Sequence, residues 1–208
     1  MLFFWLSLTH ASSICSNPSE ILQKTLVIFQ EKLQQEDCTS MMKVLRTTNS
    51  MSIEGVEIED ISPLSEAKNL RVLLMANNKV SDISALRGLS LRWLDISNNP
   101  ISDLDPISKL DKLETLWASS LQVSSIDALQ NLKRLQYLSV EDNQIVDIAV
   151  IQNIKNLKFL GLSQNAIKDF RALSDHQNLE YMTVKGNPVV FCPKKGLLAN
   201  ICNKEKNK

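Results

Sequence analysis

The chain has 208 residues, 44% of them apolar, and 23 basic residues balance 23 acidic ones. A net charge of zero argues against nucleic acid as a partner, which calls for a clustered basic surface. Beyond the first few residues no stretch approaches the 18 apolar residues of a membrane anchor, so no integral anchor is expected in the mature chain.

The chain opens on a short apolar run, Met1 to Leu8, followed by the small residues Ala11, Ser12 and Ser13. This pattern matches the core and cleavage zone of a secretory signal peptide over residues 1–13, although no Lys or Arg precedes the run. Residues 14–47 read as a helical cap. Asn17 is the expected N-cap, Pro18 the first helical residue, and Glu20 stands three residues after Asn17. Leu22, Leu26, Phe29 and Leu33 then form one apolar stripe, and Met41, Met42, Val44 and Leu45 a shorter one.

From about Thr48 to Asn200 a 22-residue period takes over. Leu70, Leu91, Leu113, Leu135, Leu157 and Leu179 are spaced 21, 22, 22, 22 and 22 residues apart. Each opens the frame L-x-x-L-x-ϕ-x-x-N-x-ϕ-x-x-ϕ-x-x-ϕ, where ϕ is apolar. A degenerate first copy reads Met51, Ile53, Val56, Ile58, Ile61, Leu64 and Ala67. A period of this length headed by a short strand predicts a solenoid over 48–190, in which each unit buries its apolar face only against its neighbours. Successive strands should stack as a parallel sheet about 4.8 Å apart.

Two recurrent polar positions have physical roles. Asn78, Asn99, Asn143, Asn165 and Asn187 each stand eight residues after a leading leucine. There the chain leaves the strand, and a buried amide can serve backbone groups that the turn leaves unpaired. Leu121 takes this place in the fourth repeat, which predicts a shifted loop or bridging water. Asp60, Asp82, Asp103, Asp147 and Asp169 form a second column, with Ser125 in the fourth repeat. Local backbone bonding at a turn explains it better than calcium does.

Four cysteines lie outside the regular repeats, Cys15 and Cys38 before them and Cys192 and Cys202 after. They fit disulfides that close the two ends, and with the signal-like start they suggest an oxidising compartment. Pro193 and Gly196 allow a compact return from Cys192 to Cys202 in the closing segment, 191–208. Pairing of Cys15 with Cys38 is harder. A helix from Pro18 to Gln34 would be roughly 25 Å long, so it must be shorter or the chain must double back. No zinc site is expected, for there is no C-x-x-C pair and His176 is the only histidine beyond the signal-like segment.

Alternate strand residues leave the core. The residues two after each leading leucine are Val72, Trp93, Thr115, Tyr137, Phe159 and Tyr181, and those two further on are Leu74, Asp95, Trp117, Ser139, Gly161 and Thr183. Trp93, Trp117, Tyr137, Phe159 and Tyr181 should therefore form an aromatic stripe about 20 Å long on the concave side. Leu74, Asp95, Glu141 and Lys185 would flank it, with Arg71, Arg92 and Lys158 nearby. Such rings are the usual anchors of an interface, although rings can also stack merely to stabilise a sheet. Gly161 beside Phe159 would leave room for an inserted group. Catalysis finds no support: no nucleophile elbow, phosphate loop or carboxylate pair is present. His176 reads as a surface residue in a turn, and Ser97, Ser119 and Ser163 as turn serines that bond locally.

The frame, with Ser81-Asp82-Ile83, Ser102-Asp103-Leu104, Val146-Asp147-Ile148 and Lys168-Asp169-Phe170, resembles the 22-residue class of leucine-rich repeats. Bacterial internalins and a regulatory subunit of type-1 protein phosphatase contain such repeats. Gly186-Asn187-Pro188, Cys192-Pro193 and Cys202 resemble the closing segment of secreted bacterial repeat proteins with cysteine-bearing caps. The resemblance implies a curved α/β solenoid with a concave parallel sheet and an N-terminal helical cap. It also implies a secreted, periplasmic or cell-surface bacterial protein that binds a protein ligand without a cofactor. We expect a non-enzymatic, monomeric binding module; the alternatives are an intracellular phosphatase-regulator-like scaffold or a carbohydrate-binding surface.

Overall fold

A computed structural model describes residues 14–194 and 197–206. The signal-like segment 1–13, Gly196 of the closing loop and Lys208 of the basic tail lie outside the described residues.

Helix α1 spans Glu20–Lys32 and α2 spans Cys38–Thr47. The N-cap of α1 is Ser19, whose hydroxyl accepts the Leu22 N–H at 3.1 Å. The expected cap, Asn17, stands two residues too early, and Pro18 lies before the helix rather than opening it; the Ser19 hydroxyl is the group that meets a free N–H of the first turn. Asp37 caps α2, its carboxylate accepting from Ser40 N–H at 2.9 Å, and these bonds hold its pKa below the usual value. Between the helices Gln34 takes a φ of 53° and the chain doubles back. The shorter first helix and this return bring Cys15 and Cys38 to a Cα separation of 5.9 Å, and they are disulfide-bonded. Leu26, Phe29, Met41, Met42 and Leu45 are buried and cover the apolar end of the solenoid. Thr25 ties α1 to the first repeat, its hydroxyl donating to the Asp60 carbonyl at 2.7 Å. The half-buried pair Arg46–Glu66, 3.2 Å apart, does the same for α2.

Seven three-residue strands follow among the described residues: β1 (Ser50–Ser52), β2 (Val72–Leu74), β3 (Trp93–Asp95), β4 (Thr115–Trp117), β5 (Tyr137–Ser139), β6 (Phe159–Gly161) and β7 (Tyr181–Thr183). They form one parallel sheet in sequence order. The 21-residue second repeat keeps the register, since Val72 pairs with Trp93 and Trp93 with Thr115. The middle residue of each strand points inward. Leu73, Leu94, Leu116, Leu138 and Leu160 have no exposed surface, so truncating one to alanine would cost about 2–5 kcal/mol. The leading leucines and the later ϕ positions complete a single continuous core.

The aspartate column builds the turn after each strand. Asp60, Asp82, Asp103, Asp147 and Asp169 each accept the N–H two residues on, at 2.7–2.9 Å. Ser125 does so through its hydroxyl at 3.0 Å. A short 3-10 turn follows each of them, from Ser62–Glu66 to Arg171–Leu173. The Ser84 hydroxyl and N–H hold the Asp82 carboxyl below the usual range, and the Arg171 guanidinium and N–H do the same for Asp169.

The asparagines do the work expected of them. Asn165 Nδ2 donates to the carbonyls of Val140, Leu162 and Ser163, and its Oδ1 accepts the Ile145 N–H of the preceding repeat at 3.0 Å. Asn78, Asn99, Asn143 and Asn187 make equivalent bonds. At Leu121 no loop shifts. Ser120 keeps the positive φ of 54° that its counterparts Asn98 and Asp142 show. The Ile101 N–H that an asparagine would have served bonds instead to the Asn99 carbonyl at 2.8 Å. Pro100 sits between them, and proline presets the φ of such a three-residue turn. The same bond, Val189 N–H to Asn187 carbonyl at 2.9 Å, recurs around Pro188, where the repeats end.

At the far end, α3 (Leu197–Lys206) carries Cys202, which is buried and bonded to Cys192 at a Cα separation of 5.7 Å.

Candidate functional site: the concave face

Because each strand alternates about a buried middle residue, its two outer residues face the concave side. The strand register places Trp93, Thr115, Tyr137, Phe159 and Tyr181 in one row, and Asp95, Trp117, Ser139, Gly161 and Thr183 in the next. Trp93, Tyr137 and Tyr181 are 45%, 41% and 59% exposed, while Trp117 and Phe159 are half-buried. The difference has a geometric cause. The Trp117 ring reaches past β5 to meet Phe159 edge-on, centroids 5.4 Å apart, and Phe159 stacks on Tyr181 at 5.6 Å. Three of the rings thus form one packed group, and Trp93 and Tyr137 stand apart from it. Leu74 and Asp95 are half-buried at adjacent places on β2 and β3, and Lys185 is exposed beyond β7.

Small residues beneath the group are filled by polar neighbours. A side chain at Gly161 would meet Ser139 Oγ at 2.7 Å and Glu141 Cγ at 3.1 Å, so the space beside Phe159 is not open to an inserted group. Glu141 extends across β6, and its carboxylate accepts a hydrogen bond from the Thr183 hydroxyl. Ser97 and Ser119 bond across repeats rather than locally. Ser97 Oγ accepts from Ser119 N–H at 3.3 Å, and Ser119 Oγ accepts from Glu141 N–H at 3.2 Å while lying 2.8 Å from Ser139 Oγ. These hydroxyls fix the backbone path, and none is paired with a histidine.

His176 is buried, at 5% exposure, and not a surface residue. It occupies the column of Leu110, Leu132 and Ile154, so the 22-residue register itself marks the position as interior. Its Nε2 lies 3.0 Å from the Ile151 carbonyl, and Nδ1 has no partner. Burial pushes its pKa below 6.5.

Beside the aromatic rows runs a polar groove of about 660 Å³ that the sequence reading did not single out, lined by Glu114, Arg134, Gln136, Asn156, Lys158, Gln177, Asn178 and Glu180. Four of these are the residues directly after leading leucines, a signal present in the period. Further along the same edge Arg92 forks onto Glu114, with contacts of 2.8 and 3.1 Å. Among the described residues no group of three or more His, Cys, Asp or Glu is placed to hold a metal ion, and no helix is long and apolar enough to cross a membrane.

Residues 89–131 and 133–176 match the family model described as leucine-rich repeats. No curated protein matches the chain. Among solved structures it is similar to an internalin (inlF) of Listeria monocytogenes str. 4b F2365, with a TM-score of 0.68 and 26% identity over 85% of this chain. The chain spans 61% of the length of that protein. Internalin C2 of the same strain gives a TM-score of 0.62 at 21% identity, covering 86% of this chain and 88% of its own. A leucine-rich repeat protein of Leptospira interrogans gives 0.60 at 18% identity, covering 72% and 46%. What such a fold offers chemically is a scaffold for binding. The chain carries leucine-rich repeats, and its fold is similar to that of internalin-like leucine-rich repeat proteins.

Proposed function

We propose that the chain is a non-enzymatic, exported bacterial binding module, active as a monomer, that grips a protein through its concave aromatic face. The observation that carries this reading is the exposure of Trp93, Tyr137 and Tyr181 on the face that also holds Trp117 and Phe159. The interior leucines and isoleucines are almost fully buried. Large rings left in water on one face cost free energy in the isolated chain and are the residues that dominate interfaces. Asp95, Glu141 and Lys185 supply a polar surround that orients the partner. The disulfides at both ends support an oxidising compartment.

Affinity capture from extracellular and envelope fractions tests the reading. The baits are the native chain and a variant with Trp93, Trp117, Tyr137, Phe159 and Tyr181 changed to serine, both first shown to be folded. A protein retained only by the native face is the expected result. Equal capture by both baits, or none by either, would end the concave-face reading. Intact mass with and without reductant separates this module from an intracellular scaffold, which would carry free thiols.

A further inference from the structure

We propose that Glu141, together with Trp117, Phe159 and Tyr181, forms a subsite for one basic side chain, lysine or arginine, of the protein bound by the concave face; this rests on the protein-binding reading above.

Glu141 reaches over Gly161 to the Thr183 hydroxyl, so its carboxylate lies on β6 and β7. Phe159 and Tyr181 precede those two residues by two positions on the same strands and the same face. The carboxylate therefore stands about 7 Å along the sheet from the stacked rings. The edge of the group is closed by Trp117. A lysine or arginine can lay its apolar stem on the rings, place its charge within about 6 Å of a ring centroid, and reach the carboxylate with its terminal nitrogens.

Charge makes the choice of occupant. Glu141 is half-buried, and its carboxylate forms no ion pair with a described residue. The lysines flanking these strands, Lys158 before β6 and Lys185 after β7, do not pair with it. A partner that covers the rings must also cover this carboxylate and strip its remaining water. An apolar or acidic group placed there would leave a buried charge uncompensated, which is strongly unfavourable; a cation compensates it. The wider face points the same way. Counting with the two outer strand residues the one that stands two beyond each strand's end, the charged residues of the seven repeats are Glu54, Asp95 and Glu141 against Lys185 alone. Asp95 is partly engaged, since its Oδ1 accepts the Ser97 N–H at 3.0 Å.

The test uses a randomised peptide library displayed on phage. The baits are the full chain, its Glu141→Gln variant and the five-ring serine variant. Glutamine keeps an acceptor for the Thr183 hydroxyl and keeps Gly161 covered, so E141Q removes the charge alone; an unchanged thermal midpoint confirms this. We expect the peptides that depend on the rings to share a lysine or arginine. Replacing that residue with norleucine, or Glu141 with glutamine, weakens binding about tenfold or more, and both changes together cost little more than one. Ring-dependent peptides without a basic residue, or with binding indifferent to E141Q, overturn the subsite and leave the protein-binding reading standing. A library that yields no ring-dependent peptide overturns both.

Discussion

The turn at Asn165 and the turn at Leu121 pose the same problem and solve it differently. In each repeat the chain leaves the strand with an N–H that points into the solenoid. Asn165 accepts that N–H from Ile145 across the repeat boundary. Where Leu121 stands, the corresponding Ile101 N–H folds back onto Asn99 around Pro100. The carbonyls that the missing amide would have served are already taken. Ile96 receives Asn99, Ala118 receives Asn143, and Ser119 receives the Asn98 N–H. The backbone demand is fixed, but the repeat has two ways to meet it. A solenoid tolerates a broken position when the neighbouring repeat supplies the second way.

Breaking the first solution should have the largest effect. Asn165→Leu orphans the buried Ile145 N–H, because Gln144 holds the place that Pro100 holds two repeats earlier. A loss of about 2–3 kcal/mol is expected in denaturant unfolding. Adding Gln144→Pro should recover about 1 kcal/mol of it in a double-mutant cycle, although the Gln144 N–H bond to Val123, 2.9 Å, is lost. No recovery would mean that the proline turn is not the compensation.

Breaking the second solution should cost less. Pro100→Ala keeps the Asn99 carbonyl in place but frees φ, and a loss of about 1 kcal/mol is expected from the same unfolding curves. Restoring the amide with Leu121→Asn should bring no gain and a loss of about 1 kcal/mol or more, since Leu121 is buried in the core and every group the amide would serve already has a partner. A large gain there would show that the proline turn is a poor substitute.

His176 sharpens the comparison from another side, as a polar residue with no compensating partner on Nδ1. Its folded pKa is lowered from 6.5, so the unfolded chain binds the proton more readily. The contribution to stability is complete above about pH 6.5 and is lost as pH falls below it. His176→Leu, matching Leu132 in the same column, should flatten that part of the profile, measured as thermal midpoint against pH. An unchanged slope would place the titration elsewhere.

The core was legible in the sequence because a 22-residue period forces every unit to bury the same positions. Leu70 through Leu179, the asparagines and the turn aspartates follow from that alone. The two rows of the concave face followed from strand alternation, down to Trp93, Tyr137 and Tyr181 in water. His176 was legible too, had the register been trusted over the residue type. The N-terminal cap lies outside the period, so no register marked its residues, and the N-cap fell on Ser19, two residues beyond Asn17.

Contacts between repeats were decided only by the tertiary structure. Trp117 meets Phe159 over an intervening strand, Glu141 reaches Thr183 over Gly161, and Ser97 and Ser119 bond to the next repeat. None of these follows from spacing, because a side chain several rotatable bonds long chooses among neighbours only when the sheet has set them about 4.8 Å apart. Cys15 and Cys38 likewise met only because Gln34 reversed the chain. Periodicity dictates which residues are inside; the stacking of the strands determines what the outward ones can touch.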